Sequence, residues 1–599
     1  MKLSEYVMRT LVEHGVRDVF LVSGGGVMHL LDSLGTNPDL RYFATSHEQA
    51  AVVAAEGYAR RTGRLGVAVV TVGPGAANAV SALPGAWVDS VPVLVLAGQV
   101  RSDMIADYDT QRQRGPQEAN TLDMARPVTK YAASVRTAGA IRAELQMALH
   151  AALSGRPGPV WLEFPVDVTA LDVDPNTQAP AILPPAVLGG IDRVRDAART
   201  VAAALGAAER PLIVPGNGVR LAGAEPLLRQ LLDITGIPAA VPFTAKDLIS
   251  EDDPRNAGVF GTAGQRRANF AVQNADLLLC LGAGLNVQKT GYNVADFAPK
   301  AKRVIVDIDE VQLHQQAIKP DIGVLADLRG FMPALVDAVR TQSAHPSLRW
   351  LGAIANWKRR YPIITPDYLE DDAHVNSYVF MDALADAMSP GDTLVTGAGL
   401  DVVSTYQAFR VKPGQRVLIS GWGSMGWDLP LSIGAAVGTG KRIITVTGDG
   451  SVQWNIQELL TIKRYELPLK IFVFNNAGFS SIRATQSSFF ESRFVGSDPA
   501  SGVLTADFAK LAAAYDMTHM QIATNADLAG GIGDFLADDR AGFCELSLAA
   551  EQTISPKASA FRRTDGTFES RPLEDMAPFL SREEIYANMH LFDEALITS

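Results

Sequence analysis

Cysteine is almost missing from this chain: two residues, Cys280 and Cys544, among 599. Both sit in apolar runs, "ADLLLCLGAG" and "AGFCELSLA". They read as core thiols rather than a disulfide or a metal pair, which suits a reducing cytoplasm. No apolar run is long enough to span a bilayer. Residues 1–16 alternate charged and apolar side chains, the pattern of an amphipathic helix and not of a signal peptide. A basic excess is missing too. The net charge is −12, which argues against nucleic acid or an anionic membrane as a partner.

What is present is long and apolar enough for several cores, with 47% hydrophobic and 20% charged residues. Short Val/Ile-rich runs alternate with Ala-rich helical stretches, so the expected fold is α/β: three doubly wound parallel-sheet domains. We place them at 1–170, 187–340 and 376–555, followed by a tail at 556–599. The segment "LDVDPNTQAPAILPPAVLGG" is Pro-rich and reads as a linker. A second connection, residues 344–376, reads as polar and irregular. In such sheets ligands sit beyond the carboxyl ends of the strands.

One tract carries specific chemistry: "TVTGDGSVQWNIQELLTIKRYELPLKIFVFNNAGF". An apolar strand runs into Gly448-Asp449-Gly450-Ser451, a helical segment follows, and a second strand stops at Asn475-Asn476. Asp449 and Asn476 are 27 positions apart. A strand–helix–strand unit of that length brings both to one edge of a parallel sheet. Hard oxygen ligands from few side chains suit Mg²⁺ that also holds a phosphate, and the glycines let backbone N–H groups approach it. The plainer alternative is a βαβ turn in which Gly and Asp only shape the loop.

The GDG…NN tract resembles the signature of thiamine diphosphate (ThDP) enzymes, and other stretches resemble the acetohydroxyacid (acetolactate) synthases among them: "VVTVGPGAANAVSALPGAWVDSVPVLVLAGQV", "SGRPGPVWLEFPVDV" and "SGWGSMGWDLPLSIGAAVG". The resemblance implies pyrimidine-binding, central and diphosphate-binding domains in that order. It also implies that each cofactor lies between two subunits, hence a homodimer at least, with a homotetramer common. Glu48, in "ATSHEQAAVVAAEGYARRTG", would be the catalytic residue. It would hydrogen-bond N1′ of the aminopyrimidine, so that the 4′-nitrogen takes the proton of thiazolium C2. Taken alone, Glu48 is a first-turn glutamate that complements a helix dipole.

By the same resemblance the cofactor would be held by Gly25, Pro74, Asn78, Gly399, Leu400, Gly423, Ser424, Met425, Gly448, Asp449, Gly450, Ser451, Asn476, Gly478, Phe479 and Ser480. Asp449, Asn476 and Gly478 would bind Mg²⁺. Met425 would force the cofactor into its folded shape, unless it is an ordinary core methionine. Gly25, Gly26, Gln117 and Thr485 would face substrate. The middle domain resembles the FAD-binding domain of the synthases, with Asp309 at the end of "VIVDID". Its Gly-rich turn "PGNGVR" is only a partial fingerprint, so FAD and a purely structural sheet both stay open.

Departures from the synthase pattern bear on substrate. Pro116 stands where the synthases carry Phe, Asp401 replaces a usual His or Gln, and Thr485 replaces a Trp that narrows the acceptor pocket. The tail is also longer, and is expected to pack on the surface with some cover of the site. The expected activity is a ThDP- and Mg²⁺-dependent carboligase. It would take a small-molecule 2-oxo acid donor, pyruvate first, and a carbonyl acceptor that need not be pyruvate or 2-oxobutyrate, because the pocket is expected to be roomier or more polar. Acetolactate synthase proper, a C–C hydrolase or lyase, an acetyltransferase and a catalytically silent sensor are the alternatives.

Overall fold

The computed structural model describes residues 1–184, 190–314, 317–342, 344–370 and 372–593. The expected start of the middle domain, residue 187, lies outside the described residues. So do residues 185–189 of the linker and 594–599 of the tail.

Three six-stranded sheets, each all-parallel, form the frame. The first holds β1 (Asp18–Leu21), β2 (Arg41–Ala44), β3 (Gly66–Val70), β4 (Val93–Gln99), β5 (Tyr131–Ser134) and β6 (Val160–Pro165) in the order β2-β1-β3-β4-β6-β5. The second holds β7 (Pro211–Pro215), β8 (Ala239–Val241), β9 (Asn256–Val259), β10 (Leu277–Leu281), β11 (Lys302–Asp307) and β12 (Ile322–Leu325), ordered β12-β11-β10-β7-β8-β9. The third holds β13 (Thr393–Thr396), β14 (Arg416–Leu418), β15 (Ile443–Gly448), β16 (Leu469–Asn475), β17 (Thr518–Ile522) and β18 (Gly542–Ser547), ordered β14-β13-β15-β16-β18-β17. Central strands such as "GVAVV" in β3 and "LLLCL" in β10 are buried at every position. That continuous apolar character belongs to strands covered by helices on both faces. The two cysteines lie in β10 and β18, fully buried and unpaired. Burial pushes both thiols up to about 12.

The first and third sheets share one winding. Each reverses direction beside its first strand, between β1 and β3 and between β13 and β15, and turns back once more at the edge, where β6 lies inside β5 and β18 inside β17. The middle sheet reverses between β7 and β10. Such reversals open the crevices where α/β sheets bind ligands. The first and third domains meet through two helices, Glu48–Thr62 and Asp428–Thr439. Their backbones approach so closely that a Cβ on Gly434 would stand 1.8 Å from Ala54 O, and one on Gly57 2.1 Å from Leu431 O.

Two connections differ from expectation. Residues 344–376 are not wholly irregular: Leu348–Arg360 is a helix, capped by the Ser347 hydroxyl accepting from Trp350 N at 3.2 Å. Trp350, Ala353, Ile354 and Trp357 are its buried face, at the i, i+3, i+4, i+7 spacing of a helix packed on a core. The polar composition that suggested a loop is its solvent face. The tail is a strap on the middle domain. Arg266 Nη1 donates to Met576 O at 3.1 Å, Asn269 Nδ2 to Leu573 O at 2.9 Å, and the Trp357 indole to Asn588 Oδ1 at 2.8 Å. Leu573 and Met576 are buried there. Among the described residues, no hydrogen bond links the tail to Glu48 or Asp449. No helix of the described residues is long and apolar enough to cross a membrane.

Candidate active site

At the first reversal point, Gly25 and Gly26 follow β1, and Pro74 opens the short helix after β3. Gly26 N donates to Thr71 Oγ1 at 3.2 Å, tying the two loops together. Glu48 opens its helix directly after β2, with His47 as the capping residue. Asn78 Nδ2 donates to Glu48 Oε2 at 3.0 Å. A Cβ on residue 75 would stand 2.9 Å from Glu48 Oε1, so the glycine there leaves the carboxyl its space. Gln117 holds a left-handed φ of +60°. The buried neighbour Glu118 secures that turn by accepting from Arg114 N at 2.7 Å and Gly115 N at 2.8 Å. These donors hold the Glu118 carboxyl below its usual value despite burial.

The second reversal point gathers the rest. β15 and β16 pair in register, Gly448 opposite Phe474, and Asp449 N donates to Phe474 O at 3.0 Å. Asp449 therefore sits beside the 476–480 turn. Its Oδ1 accepts from Gly450 N at 2.7 Å and its Oδ2 from Gly478 N at 2.9 Å. Gly399 and Leu400 end the β13 loop, with Leu400 at the start of a helix. Ser451 Oγ receives Gly426 N at 2.9 Å, which brings the loop holding Gly423, Ser424 and Met425 onto the GDGS turn. A Cβ on Gly450 would lie 3.3 Å from Met425 Cε and 2.3 Å from Phe479 Cε1. Ser480 opens the Ser480–Phe489 helix, and Thr485 is exposed on it.

Asp449 is 2% exposed and Asn476 5%. The Asn476 Oδ1 is buried with no hydrogen-bond partner. Burial pushes the Asp449 carboxyl up to about 6, against the amides of Gly478 and Gly450 that lower it. An orphaned amide oxygen beside a carboxylate that is costly to ionise is a donor pair that a hard divalent cation would satisfy. Among the described residues, no group of three His, Cys, Asp or Glu side chains is arranged to hold a metal.

Several groups that shape this site carry no signal in the sequence. Asp428 accepts from Ser451 Oγ and from Thr447 Oγ1, both at 2.6 Å, and so fastens the GDGS turn from below. Arg483 is buried and donates to the carbonyls of Asn476 (2.8 Å), Ala477 (3.2 Å) and Ser497 (3.2 Å), setting the turn that follows β16. Asn455 Nδ2 reaches Gly426 O at 2.8 Å and Gln49 Oε1 at 3.3 Å, which links the GDGS region to the Glu48 helix of the same chain. Glu48 and Asp449 themselves share no hydrogen bond among the described residues.

Asp401 and Asp428 are buried and both crowd Gly397, where a Cβ would stand 2.9 Å and 2.5 Å from their Oδ2 atoms, and among the described residues no ion pair joins either to a cation. Burial first, and the Asp428 charge second, push Asp401 up to about 8; burial also raises Asp428. The folded chain thus keeps a proton on Asp401 that the unfolded chain releases from about pH 4 upward. Stability is lost as pH rises through that window toward 8, with a limiting slope of about 1.4 kcal/mol per pH unit. Asp401→Asn should flatten this slope, so that the variant gains on the parent between pH 5 and 7.5. Urea midpoints at the two pH values measure it, and parallel curves would rule the assignment out.

The geometry can be compared with known proteins. Residues 1–124 match "Thiamine pyrophosphate enzyme, N-terminal TPP binding domain", 198–335 the central domain and 397–546 the C-terminal TPP binding domain of the same enzymes. The chain is similar to the acetolactate synthase large subunit of Parasynechococcus marenigrum, 32% identical over 86% of this chain and 82% of that protein. It is 31% identical to acetolactate synthase 1, chloroplastic, of Zea mays, over 93% of this chain and 86% of that one. With acetolactate synthase isozyme 1 large subunit of Escherichia coli the identity is 29%, over 92% and 95%. Two cofactor-binding matches that frame the two reversal points, and relatives aligned over most of their length, lead to one conclusion: this chain belongs to the thiamine pyrophosphate enzymes.

Proposed function

We propose that the protein is a ThDP- and Mg²⁺-dependent carboligase of the cytoplasm. It decarboxylates a 2-oxo acid, pyruvate first, and joins the two-carbon unit to a second carbonyl compound, giving an acyloin or a 2-hydroxy-2-acyl acid. One observation carries the reading. The reversal point of the first sheet presents a carboxyl whose Oε1 is unencumbered, and that of the third presents Asp449 beside the orphaned Asn476 oxygen. When bound, ThDP supplies the nucleophilic carbon and the electron sink that decarboxylation needs. The chain supplies the rest. Glu48, oriented by Asn78, would hold a proton for the pyrimidine of that cofactor. Asp449, Asn476 and Gly478 would hold Mg²⁺. Pro74, Gly399, Leu400, Gly423, Ser424, Gly448, Gly450, Ser451, Phe479 and Ser480 line the cofactor, and Met425 props its fold. Gly25, Gly26 and Gln117 face substrate.

Homology to proteins named acetolactate synthase supports transfer of a two-carbon unit. Thr485 decides the acceptor. Its hydroxyl donates to Ser481 O at 3.1 Å, and Ile482 and Phe489 beside it are exposed, so the wall is apolar but open. We take the acceptor to be bulkier than a second pyruvate. Exposed Trp422 and Trp454 flank the cofactor loops and support a homodimer at least, with a tetramer as the larger form.

The middle sheet winds as dinucleotide-binding sheets do. A cavity of about 1470 Å³ opens at its reversal point, between Gly218 after β7 and Gly284 after β10, with Asp307, Asp309 and Arg156 around it. Arg156 Nη1 pairs with Asp309 Oδ2 at 3.1 Å. The room, the winding and the mixed charges fit FAD.

Three outcomes follow from this reading. Glu48→Gln should bind ThDP within a few-fold of the parent yet release CO₂ from pyruvate roughly 10²–10⁴-fold more slowly; undiminished release would remove Glu48 from the mechanism. Protein purified without added flavin should release a yellow chromophore on denaturation, and a colourless supernatant together with no flavin uptake would leave the middle sheet structural. Thr485→Trp should cut coupling to large aldehydes or ketones about 10-fold or more relative to small ones, since a methylene-sized misfit alone is worth about 1–3 kcal/mol. An unchanged product ratio in competition would move the acceptor determinant to Gln117 and the Pro116 turn.

A further inference from the structure

The segment 419–427 carries Met425, yet both its ends are fastened to the first domain. At the entry, Asp89 Oδ2 accepts from Gly421 N at 2.8 Å and Ser420 Oγ at 3.1 Å. At the exit, the Trp427 indole donates to Glu56 Oε2 at 3.3 Å. One cation joins the two anchors. Arg60 donates through Nε to Glu56 Oε1 at 2.8 Å, pairs through Nη2 with both Glu56 and Asp89, and reaches Ile419 O through Nη1 at 3.3 Å. Glu56 is fully buried, and the Arg60 and Asp89 side chains are about one-tenth exposed. In such surroundings charge-assisted hydrogen bonds are short and directional, and a missing partner is not replaced by water.

The backbone has been cleared for this arrangement. A Cβ on Gly85 would stand 2.8 Å from the Trp427 indole nitrogen and 3.1 Å from Glu56 Oε2; one on Gly421 would stand 2.5 Å from Asp89 Oδ1. Between the anchors the loop has little support of its own. Trp422 is 45% exposed, nothing lies within 4 Å of a Cβ built on Gly423, and the Ser424 hydroxyl turns back to Met425 O at 3.2 Å. Its ties to the GDGS region are at Gly426 alone among the described hydrogen bonds: Gly426 N to Ser451 Oγ and Gly426 O from Asn455 Nδ2.

We propose that Glu56, Arg60 and Asp89 are positioning residues: a buried carboxylate–guanidinium–carboxylate triad through which the first domain sets the height of the third domain's Met425 loop over the cofactor. The proposal rests on the reading of Met425 as the cofactor's prop. None of the three is among the residues that would hold substrate or cofactor, so the effect runs through the loop.

Asp89→Asn keeps an oxygen for Gly421 N and removes the charge that holds Arg60. Three measurements on the full-length protein decide the matter. Amide hydrogen exchange across residues 419–427, without cofactor, should be at least 5-fold faster than in the parent. ThDP affinity with Mg²⁺, by calorimetry, should stay within about threefold, because the diphosphate side is untouched. Deuterium exchange at C2 of bound ThDP should slow at least 10-fold. Amide exchange within twofold of the parent would overturn the proposal even if the melting temperature falls, since a merely structural triad would lower only that. Met425→Ala separates the two readings: if it leaves C2 exchange unchanged, the role of Met425 fails, and the positioning role is then decided by amide exchange alone. Should Asp89→Asn not fold, Glu56→Gln, which keeps an acceptor for the Trp427 indole, takes its place with the same readouts.

Discussion

The contact on which the rest depends is the crossing of two small-residue helices, Glu48–Thr62 and Asp428–Thr439. Gly57 against Leu431 and Gly434 against Ala54 bring backbone onto backbone with no room for a side chain. Such a contact is intolerant of slippage, because interiors are close-packed and cannot absorb a shift of even a methyl group. Both halves of the candidate site hang from the amino ends of these helices. Glu48 opens one of them, and Asp428, with the Met425 loop before it, opens the other. On the proposed reading, the spacing within one chain between the Glu48 half and the Asp449 half is thus set by one van der Waals surface.

Around that apolar crossing runs a layer of polar wiring. Asp428 holds the GDGS turn, Asn455 bridges Gly426 to Gln49, and Ser46 N donates to the buried Glu458 at 3.1 Å. The first of these ties two segments of the third domain, and the Asn455–Gln49 and Ser46–Glu458 links join the third domain to the first. Loops that bind ligands are ordinarily the least stable parts of a fold. Here their ends are tied by buried acceptors, so mobility is confined to the few residues between ties.

The placement of Asp449 beside Asn476 was legible in the sequence because it follows from chain length alone: a strand, a helix and a strand of that span must pair in parallel, as β15 and β16 do. The run of buried strands was legible for the same reason, since apolar composition reports two covered faces. The strand order was not, because periodicity says which residues are buried and nothing about which strand lies next. Asp428, Arg60 and Arg483 were opaque in another way. A charged residue looks solvated until its partners are known, and each of these has partners on a segment beyond its own helix, from 19 to 359 positions away. The Leu348–Arg360 helix was hidden by its own lysine and arginines, which face solvent at one end while two tryptophans face inward. The roles of the cofactor residues came from likeness to a family, and spacing supports only their location.

The strap formed by residues 557–593 has a temporal meaning. Asn269 and Trp357, inside the middle domain, give their buried donors to Leu573 and Asn588. On the ribosome, those partners emerge only after the entire third domain has been made. Domains generally fold as units in the order of their synthesis, so the middle domain must wait with an open flank while the third one closes. The strap completes a core begun more than three hundred residues earlier, and a chain without the helix Arg582–Met589 would leave a middle domain that looks finished from its own sequence but carries unanswered polar groups in its interior.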